Sequence, residues 1–370
     1  ISSARFRGST WTASSAPIHI RWPIAMVPQI AIMYSLPCGL IRDWRRRLPA
    51  KELKQLAATC NTRGPAVLRV NVERADRHQV LEALRDANVP AELGNLSPWA
   101  IKLIGDRTAW GGSAWALPGW SAAHFELQDE GSQMIVHACE VQEGEIVLDM
   151  CAGRGGKTLA LASMVGRTGQ VLAHDVDTKA LRQLAAAAKR TGIETRLSVF
   201  ANDANMPTNP STASICLHRS EGGPSWYSGG YADVRFSEPH GVDLVLVDAP
   251  CSSSGVLRRH PGLRWSGRWA GSGPRQMAAL QLEILCAAAT MVKPGGRLVY
   301  ATCALETIDD ETADAFEAGH PEMRPWNFEL CKKDVGAQPE KSQGPRHRRT
   351  LWPHHLGTDG FYIARWRRTP

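Results

Sequence analysis

The chain has nine cysteines and no C-x-x-C pair among them. They are Cys38, Cys60, Cys139, Cys151, Cys216, Cys251, Cys286, Cys303 and Cys331. An odd count at scattered spacing excludes a disulfide framework and a cysteine-based zinc site, so no metal is expected. It points to a reducing compartment, cytoplasmic or organellar, the latter a chloroplast or a mitochondrion. No run of about 18 apolar residues occurs, so no membrane span is expected. Residues 1–42 contain no Asp or Glu and are rich in Ser, Arg and Ala. That composition resembles an organellar transit peptide, with a divergent, partly disordered leader as the equal alternative. Residue 1 is Ile, which reads as a fragment, a processed product or an incomplete gene model. Internal repeats are absent, and so is a Walker loop, because Lys157-Thr158 follows its glycines at the wrong spacing.

What is present is a 370-residue chain with 43% hydrophobic residues, enough for two or three domains with a sizeable core. The net charge is +7 and the sequence pI about 9.0. This favours an anionic partner such as nucleic acid, against the plainer reading of a basic but unspecific surface.

Residues 1–33 read as the leader and 34–120 as a small α/β domain. In the latter, 34–60 has helical spacing through Leu40, Trp44, Leu48, Leu53 and Leu56. Strand 66–71, an amphipathic helix 79–87 with Val80, Leu81 and Leu84 inward, and short strands at 90–93 and 100–104 follow. The Trp- and Gly-rich stretch 105–120 closes this domain. From residue 121 to 370 strands and helices alternate, the pattern of a mostly parallel sheet with helices on both faces. Residues 206–240 interrupt the alternation with Pro, Gly and Ser and read as a surface insertion. Lys293–Gly296 reads as a turn into a strand, and Thr307 with Asp310 as the cap of a following helix.

Two strand ends carry cysteines. Asp248-Ala249-Pro250-Cys251 follows the apolar run 242–247, and Thr302-Cys303 follows 296–300. Ligands in open α/β sheets bind outside the carboxyl ends of strands, so both thiols belong on one rim. A third strand, 146–150, leads into Cys151-Ala152-Gly153-Arg154-Gly155-Gly156-Lys157-Thr158 and then a helix. Glycines at a helix N-terminus let backbone approach a ligand closely. Asp175 ends the next strand, 19 residues after Gly156, where an acid commonly takes ribose hydroxyls. Asp203 ends the one after and is placed for an adenine amine. Asp177 is more plainly a helix cap. A nucleoside cofactor without pyrophosphate, S-adenosylmethionine, fits this pattern best.

Cys151–Thr158, Asp248–Gly255, Lys293–Glu306 and Gln128–Gln133 together resemble the Sun/Nop family of RNA (cytosine-5) methyltransferases. The resemblance covers about residues 34–370 outside the insertion. Arg258-Arg259-His260-Pro261 and the stretch 35–71 look most like its bacterial RsmB branch, which acts on small-subunit ribosomal RNA. The branch's N-terminal NusB-like RNA-binding domain has no counterpart in this sequence. Three departures stand out: Arg154 in place of the usual Pro, Ala304 in place of Ser, and the 206–240 insertion.

The resemblance implies a Rossmann-like class I methyltransferase domain preceded by a small RNA-binding domain. It implies that Cys303 is the nucleophile and that Cys251 assists product release. Asp248 would hydrogen-bond the cytosine edge, with Lys157 in the same pocket. Cys151–Lys157 with Asp175, Asp203 and Asp248 would hold S-adenosylmethionine. Chemistry by itself leaves Cys251 and Cys303 open, because the related DNA enzymes use the Pro-Cys thiol. The need for a thiolate is general: adding to carbon 6 makes carbon 5 nucleophilic, and covalent catalysis divides one hard step into easier ones. Arg42, Arg45–Arg47, Arg258, Arg259 and Arg346–Arg349 are candidate phosphate contacts as a group. The expected substrate is RNA, ribosomal before transfer RNA, acted on by a monomer. A catalytically idle RNA-binding assembly factor is the reading from another class.

Overall fold

A computed structural model describes residues 26–200, 241–267, 269, 273–330 and 346–370. Asp203, Cys216, Cys331 and the 206–240 insertion lie outside the described residues, as does the leader up to residue 25.

Three helices open the described chain: α1 (Met26–Tyr34), α2 (Cys38–Arg47) and α3 (Ala50–Thr59). Where the spacing predicts one helical segment over 34–60, Pro49 divides it. Proline pushes the residue before it out of the helical region, and Leu48 is extended (φ −120°, ψ 139°). The helix α1 starts inside the stretch read as leader and buries Ile30 and Ala31. Ile41 and Trp44 of α2 and Leu53 and Leu56 of α3 pack with Ile30 against Leu257, Leu305 and Trp352 from the far end of the chain. Cys38 opens α2 and Cys60 caps α3, where burial pushes its thiol up to about 12.

Next come β1 (Ala66–Val70), α4 (Arg77–Asp86), β2 (Ala91–Leu93), β3 (Ala100–Leu103) and β4 (Phe125–Leu127). They form an antiparallel sheet in the order β2-β3-β1-β4. Asp76 caps α4 by accepting from His78 and Gln79 N–H, and the Gln79 side chain accepts from Asp76 N–H. The sheet continues past residue 120, since β4 pairs with β1. Trp110, Ala114 and Leu117 fill its core, so the Trp- and Gly-rich stretch is packed structure.

The remaining elements are α5 (Glu130–Ala138), β5 (Ile146–Asp149), α6 (Gly156–Met164), β6 (Gln170–His174), α7 (Thr178–Thr191), β7 (Leu197–Phe200), β8 (Val242–Asp248), α8 (Gly273–Met291), β9 (Val292–Thr302), α9 (Ile308–Gly319), β10 (Met323–Pro325), β11 (Arg348–Leu351), α10 (Pro353–Leu356) and β12 (Phe361–Arg368). Their sheet runs β10-β12-β9-β8-β5-β6-β7, with β11 beside β12. The five strands from β9 to β7 are parallel, and β12 is antiparallel to β9. Chain order reverses between β5 and β8, which opens a crevice at their carboxyl ends. Lys293–Gly296 falls inside the bounds of β9 but bulges out of its pairing: Val292 pairs with Val242 and Arg297 with Leu244, and Gly295 between them is left-handed (φ 76°), so the expected turn is there, just before the continuous pairing with β8.

Thr307 does not cap α9 with its side chain. Its N–H and hydroxyl donate to the Asp43 carboxylate of α2, at 2.8 and 2.6 Å. Arg47 likewise reaches across, donating to the carbonyls of Leu305 and Glu306 and to Thr350. Arg258 and Arg259, read as phosphate contacts, are both held by carboxylates, Arg258 with a buried side chain and Arg259 at the surface. Both donate to Asp359, Arg258 at 2.7 Å, and Arg259 also donates to Asp129 at 2.7 Å and to the Pro65 carbonyl. The Asp359 side chain is 2% exposed and that of Arg258 5%. Arg348 is committed to Asp314 and Glu317, and Arg349 to the carbonyls of Arg348 and Phe328. Arg42, Arg45, Arg46 and Arg346 are exposed, as is Arg259, which is held by Asp129 and Asp359.

Removing one partner of a buried pair strands the other's charge. Asp359→Ala is therefore expected to cost about 3–5 kcal/mol, read from the shift in urea-induced unfolding. A loss within 0.5 kcal/mol, about that of a surface change, would show the arginines solvated instead.

Candidate active site

The two thiols meet because β8 and β9 are parallel neighbours, with Asp248 opposite Ala301. Cys303 is the first residue after β9 and Cys251 the third after β8. Their sulfurs are 3.3 Å apart. Backbone bonds hold the two loops in step: Ala249 N–H donates to Ala301 C=O at 2.8 Å, and Gly255 N–H to Cys303 C=O at 2.9 Å. Behind Cys251, Gln281 of α8 donates to the Pro250 carbonyl at 3.0 Å and accepts from Tyr300 Oη–H at 3.0 Å. Ser253 adopts a left-handed conformation (φ 64°), which turns the chain sharply after Cys251.

The environments of the thiols differ. Cys251 and Cys303 share a hydrogen bond in which either thiol can donate; with Cys251 as donor it holds the Cys303 thiol below its ordinary value, with Ser253 and the Lys157 ammonium adding to it against burial and the Asp248 charge. Cys251 moves the other way, well above an ordinary thiol, through the same bond and its burial. Cys303 is thus the better thiolate of the pair.

Lys157, in the first turn of α6, donates to Asp248 at 2.5 Å. Burial alone would lower its pKa, but the Asp248 carboxylate outweighs burial and raises it, so the ammonium persists. The Lys157 ammonium also lies 6.0 Å from the centre of the Phe361 ring.

The glycine loop sits on the adjoining strand ends. Gly155 is left-handed (φ 87°), and a Cβ there would lie 2.2 Å from Leu184 Cδ1, so only glycine brings α6 this close to α7. Gly153 is also left-handed (φ 52°), yet open space surrounds it. Its N–H donates to Asp175 at 2.7 Å, which ties the loop to the end of β6. Asp177 accepts from Lys179 and Ala180 N–H and caps α7, as its position predicts. Arg154 points to solvent. Cys139 at the end of α5 is buried in the core and Cys286 of α8 packs partly buried against it, and burial raises both thiols.

Three carboxylates emerge that sequence reasoning missed. Asp149, the last residue of β5, is buried and accepts from Thr158 at 2.7 Å. Burial pushes it up to about 7, and its Oδ1 has no hydrogen-bond partner among the described residues. Glu306 accepts from Ser254, Leu305 N–H and Trp269, and so knots the loop after Cys303 to the loop after Cys251. Asp309 accepts from Thr302 at 3.0 Å, and burial beside Glu306 raises its pKa well above the usual carboxylate range. An acid inside an apolar run was the one available signal for Asp149. Nothing local marks the other two.

An open parallel sheet, a glycine loop at its first strand–helix turn, an acid on the next strand end and a reactive centre on the same rim define a Rossmann-like S-adenosylmethionine-dependent methyltransferase. Residues 136–367 match the model of the family described as 16S rRNA methyltransferase RsmB/F. Residues 36–108 match the RsmF/B-like ferredoxin-like domain. The chain belongs to this RsmB/F family of RNA methyltransferases. It is 30% identical over 344 residues to the probable ribosomal RNA small subunit methyltransferase B of Bacillus subtilis, covering 92% of this chain and 68% of the relative. It is 31% identical over 332 residues to the ribosomal RNA small subunit methyltransferase B of Vibrio vulnificus, covering 90% and 66%. The chain thus spans about two thirds of these relatives' length. The structure of NSun6 from Pyrococcus horikoshii with SFG shares the fold, with a TM-score of 0.71 at 16% identity, covering 91% of this chain and all of that one.

The residues present fit S-adenosylmethionine. The Gly153 loop leaves open space beside backbone N–H groups, and the Asp175 carboxylate lies at its edge. Asp203 lies outside the described residues.

Alkylation follows the thiolate fraction, which rises with pH through the pKa. The Cys303 pKa is lowered, so its labelling by iodoacetamide is expected to set in below the ordinary thiol midpoint of about 8.5. Cys251→Ala, which removes the donor, is expected to move that midpoint upward. An unchanged midpoint would show that Cys251 does not tune Cys303. Peptide mass spectrometry across a pH series reads both.

Proposed function

We propose that this protein methylates carbon 5 of cytosine in RNA, the small-subunit ribosomal RNA in the first place, through a covalent adduct with Cys303. The observation that carries the reading is the thiol pair 3.3 Å apart on the rim that also holds the Lys157–Asp248 pair. A methyl transfer to oxygen or nitrogen needs no thiol. Two thiols with opposite pKa displacements suit a reaction in which one attacks and the other assists departure.

Bound S-adenosylmethionine supplies an electrophilic methyl group on a sulfonium. The chain's residues do the rest. Cys303 thiolate adds to carbon 6 of the cytosine, and Asp248, held by Lys157, hydrogen-bonds the base edge and fixes its orientation. That addition makes carbon 5 nucleophilic, and S-adenosylmethionine held by the Gly153 loop and Asp175 would supply it with the methyl group, its S–CH3 bond breaking and the neutral thioether departing. A base then takes the carbon-5 proton, the carbon 5–carbon 6 double bond re-forms, and Cys303 leaves as thiolate. Cys251, within hydrogen-bond reach of that sulfur, assists the departure. A base stacked in a duplex cannot reach this rim, so the target is unpaired or extruded. The exposed arginines Arg42, Arg45, Arg46 and Arg346 supply the cationic surface for phosphates.

Cys303→Ala is expected to abolish methyl transfer from labelled cofactor, a loss of about a thousandfold or more. Cys251→Ala is expected to accumulate a protein–RNA adduct that survives denaturing electrophoresis. An adduct with Cys303→Ala and none with Cys251→Ala would reverse the two roles. Bisulfite sequencing of RNA from cells lacking the protein is expected to show one methylated cytidine lost from small-subunit ribosomal RNA. Loss from transfer RNA would move the substrate, and loss of no site would leave an idle RNA-binding factor.

A further inference from the structure

We propose that Glu52, His354 and His355 form a binding site for a divalent transition-metal ion of the zinc class. The three residues come from opposite ends of the chain, Glu52 from α3 and the histidines from α10. Each offers one ligand atom, and the three atoms all lie within 4.8 Å of one another. Glu52 Oε2 is 3.4 Å from His355 Nε2 and 3.8 Å from His354 Nε2. Zinc sits about 2.0–2.2 Å from imidazole nitrogen and carboxylate oxygen, which puts two of its tetrahedral ligands about 3.4 Å apart. The cluster therefore closes around an ion with small side-chain shifts.

A second observation points to a ligand. The His354 side chain is 1% exposed, and neither of its ring nitrogens has a hydrogen-bond partner among the described residues. Nδ1 of His355 is orphaned too. A neutral imidazole carries one N–H donor and one lone pair, and buried groups of that kind are nearly always bonded. Ligation would satisfy the lone pair of His354, which no described protein group does. Glu52 and His355 are 18% and 20% exposed, which leaves a way in for the ion and room for water at the remaining position.

The donor set selects the class of ion. Two imidazoles with one carboxylate suit zinc and its first-row neighbours, whereas calcium and magnesium prefer all-oxygen cages. The site is separate from the methyl-transfer rim. The ion would tie α3 to α10, and α10 leads through Gly357 to Asp359 and Gly360. Gly360 N–H donates to Gly255 C=O at 2.9 Å, in the loop that carries Cys251. The tie would thus hold the N-terminal helices against the backbone that braces the reactive loops.

Thiolates are strong zinc ligands in general, so the test uses the full chain carrying Cys251→Ser and Cys303→Ser. This protein is expected to retain one equivalent of zinc through gel filtration. With cobalt(II) it is expected to show visible ligand-field absorption without a thiolate charge-transfer band. X-ray absorption of the zinc-loaded protein is expected to show imidazole scattering and no sulfur shell. Adding His355→Gln or Glu52→Gln is expected to weaken zinc binding by at least about tenfold. Failure to retain zinc, an oxygen-only or sulfur-containing shell, or unchanged affinity in either variant would overturn the site. The absorption measurement decides the matter on the parent protein even if a variant does not fold.

Discussion

The parallel register of β8 against β9 is the constraint on which the reactive rim depends. Asp248 lies opposite Ala301, so the residues that follow each strand emerge side by side. That register puts Cys251 and Cys303 in contact at 3.3 Å and leaves Asp248 facing the first turn of α6, where Lys157 waits. Side chains alternate faces along a strand, so a slip of one residue would send one thiol to the other side of the sheet. The register is held by buried Val245, Leu246 and Val247 on one strand and Leu298, Val299 and Tyr300 on the other. Their burial also makes a slipped alternative expensive, since it would expose one apolar set.

A second set of interactions joins distant parts of the chain to this rim. Asp43 takes the place of a local cap for α9, and Arg47 binds the carbonyls just after Cys303. Asp359 and Asp129 gather Arg258 and Arg259 and bring β1, α5, β12 and the loop after Cys251 to one point. Gly255 and Gly360 pack backbone to backbone there, where a Cβ on Gly255 would lie 2.2 Å from the Gly360 carbonyl oxygen. The N-terminal helices and small sheet are therefore more than an appended binding module. The helices supply partly buried charge, Asp43 and Arg47, that braces the loop after Cys303, and the Pro65 carbonyl before β1 holds Arg259 beside the loop after Cys251.

Much of the architecture was legible because strands and helices leave periodic traces. The alternation from residue 121 onward, the glycine loop, the acid at Asp175 and the two strand-end cysteines are local signals, and each falls where the parallel sheet puts it. The misreadings share a different cause. Pro49 divides a helical spacing that looks continuous, and β4 crosses a boundary drawn from composition. In each, a non-local partner or a backbone restriction overrode the pattern. Arg258, Arg259, Arg47 and Arg348 illustrate the same limit for charge. An arginine that binds phosphate and one that closes a buried ion pair are identical in sequence until the partner aspartate, about a hundred residues or more away for Arg258 and Arg259, is brought beside it.

By themselves, the residues determined the class of fold, the place of the glycine loop and the side-chain chemistry available at the two strand ends. Each of those follows from short-range propensity and spacing. Only the tertiary structure decided which cysteine is the more acidic, because that depends on a thiol donor 52 positions away and on the Lys157 ammonium. It also decided which arginines are free for a polyanion, and it gathered Glu52 with His354 and His355 from opposite ends of the chain. Electrostatic and coordination properties arise from distance in space, and distance in space is what a linear pattern leaves open.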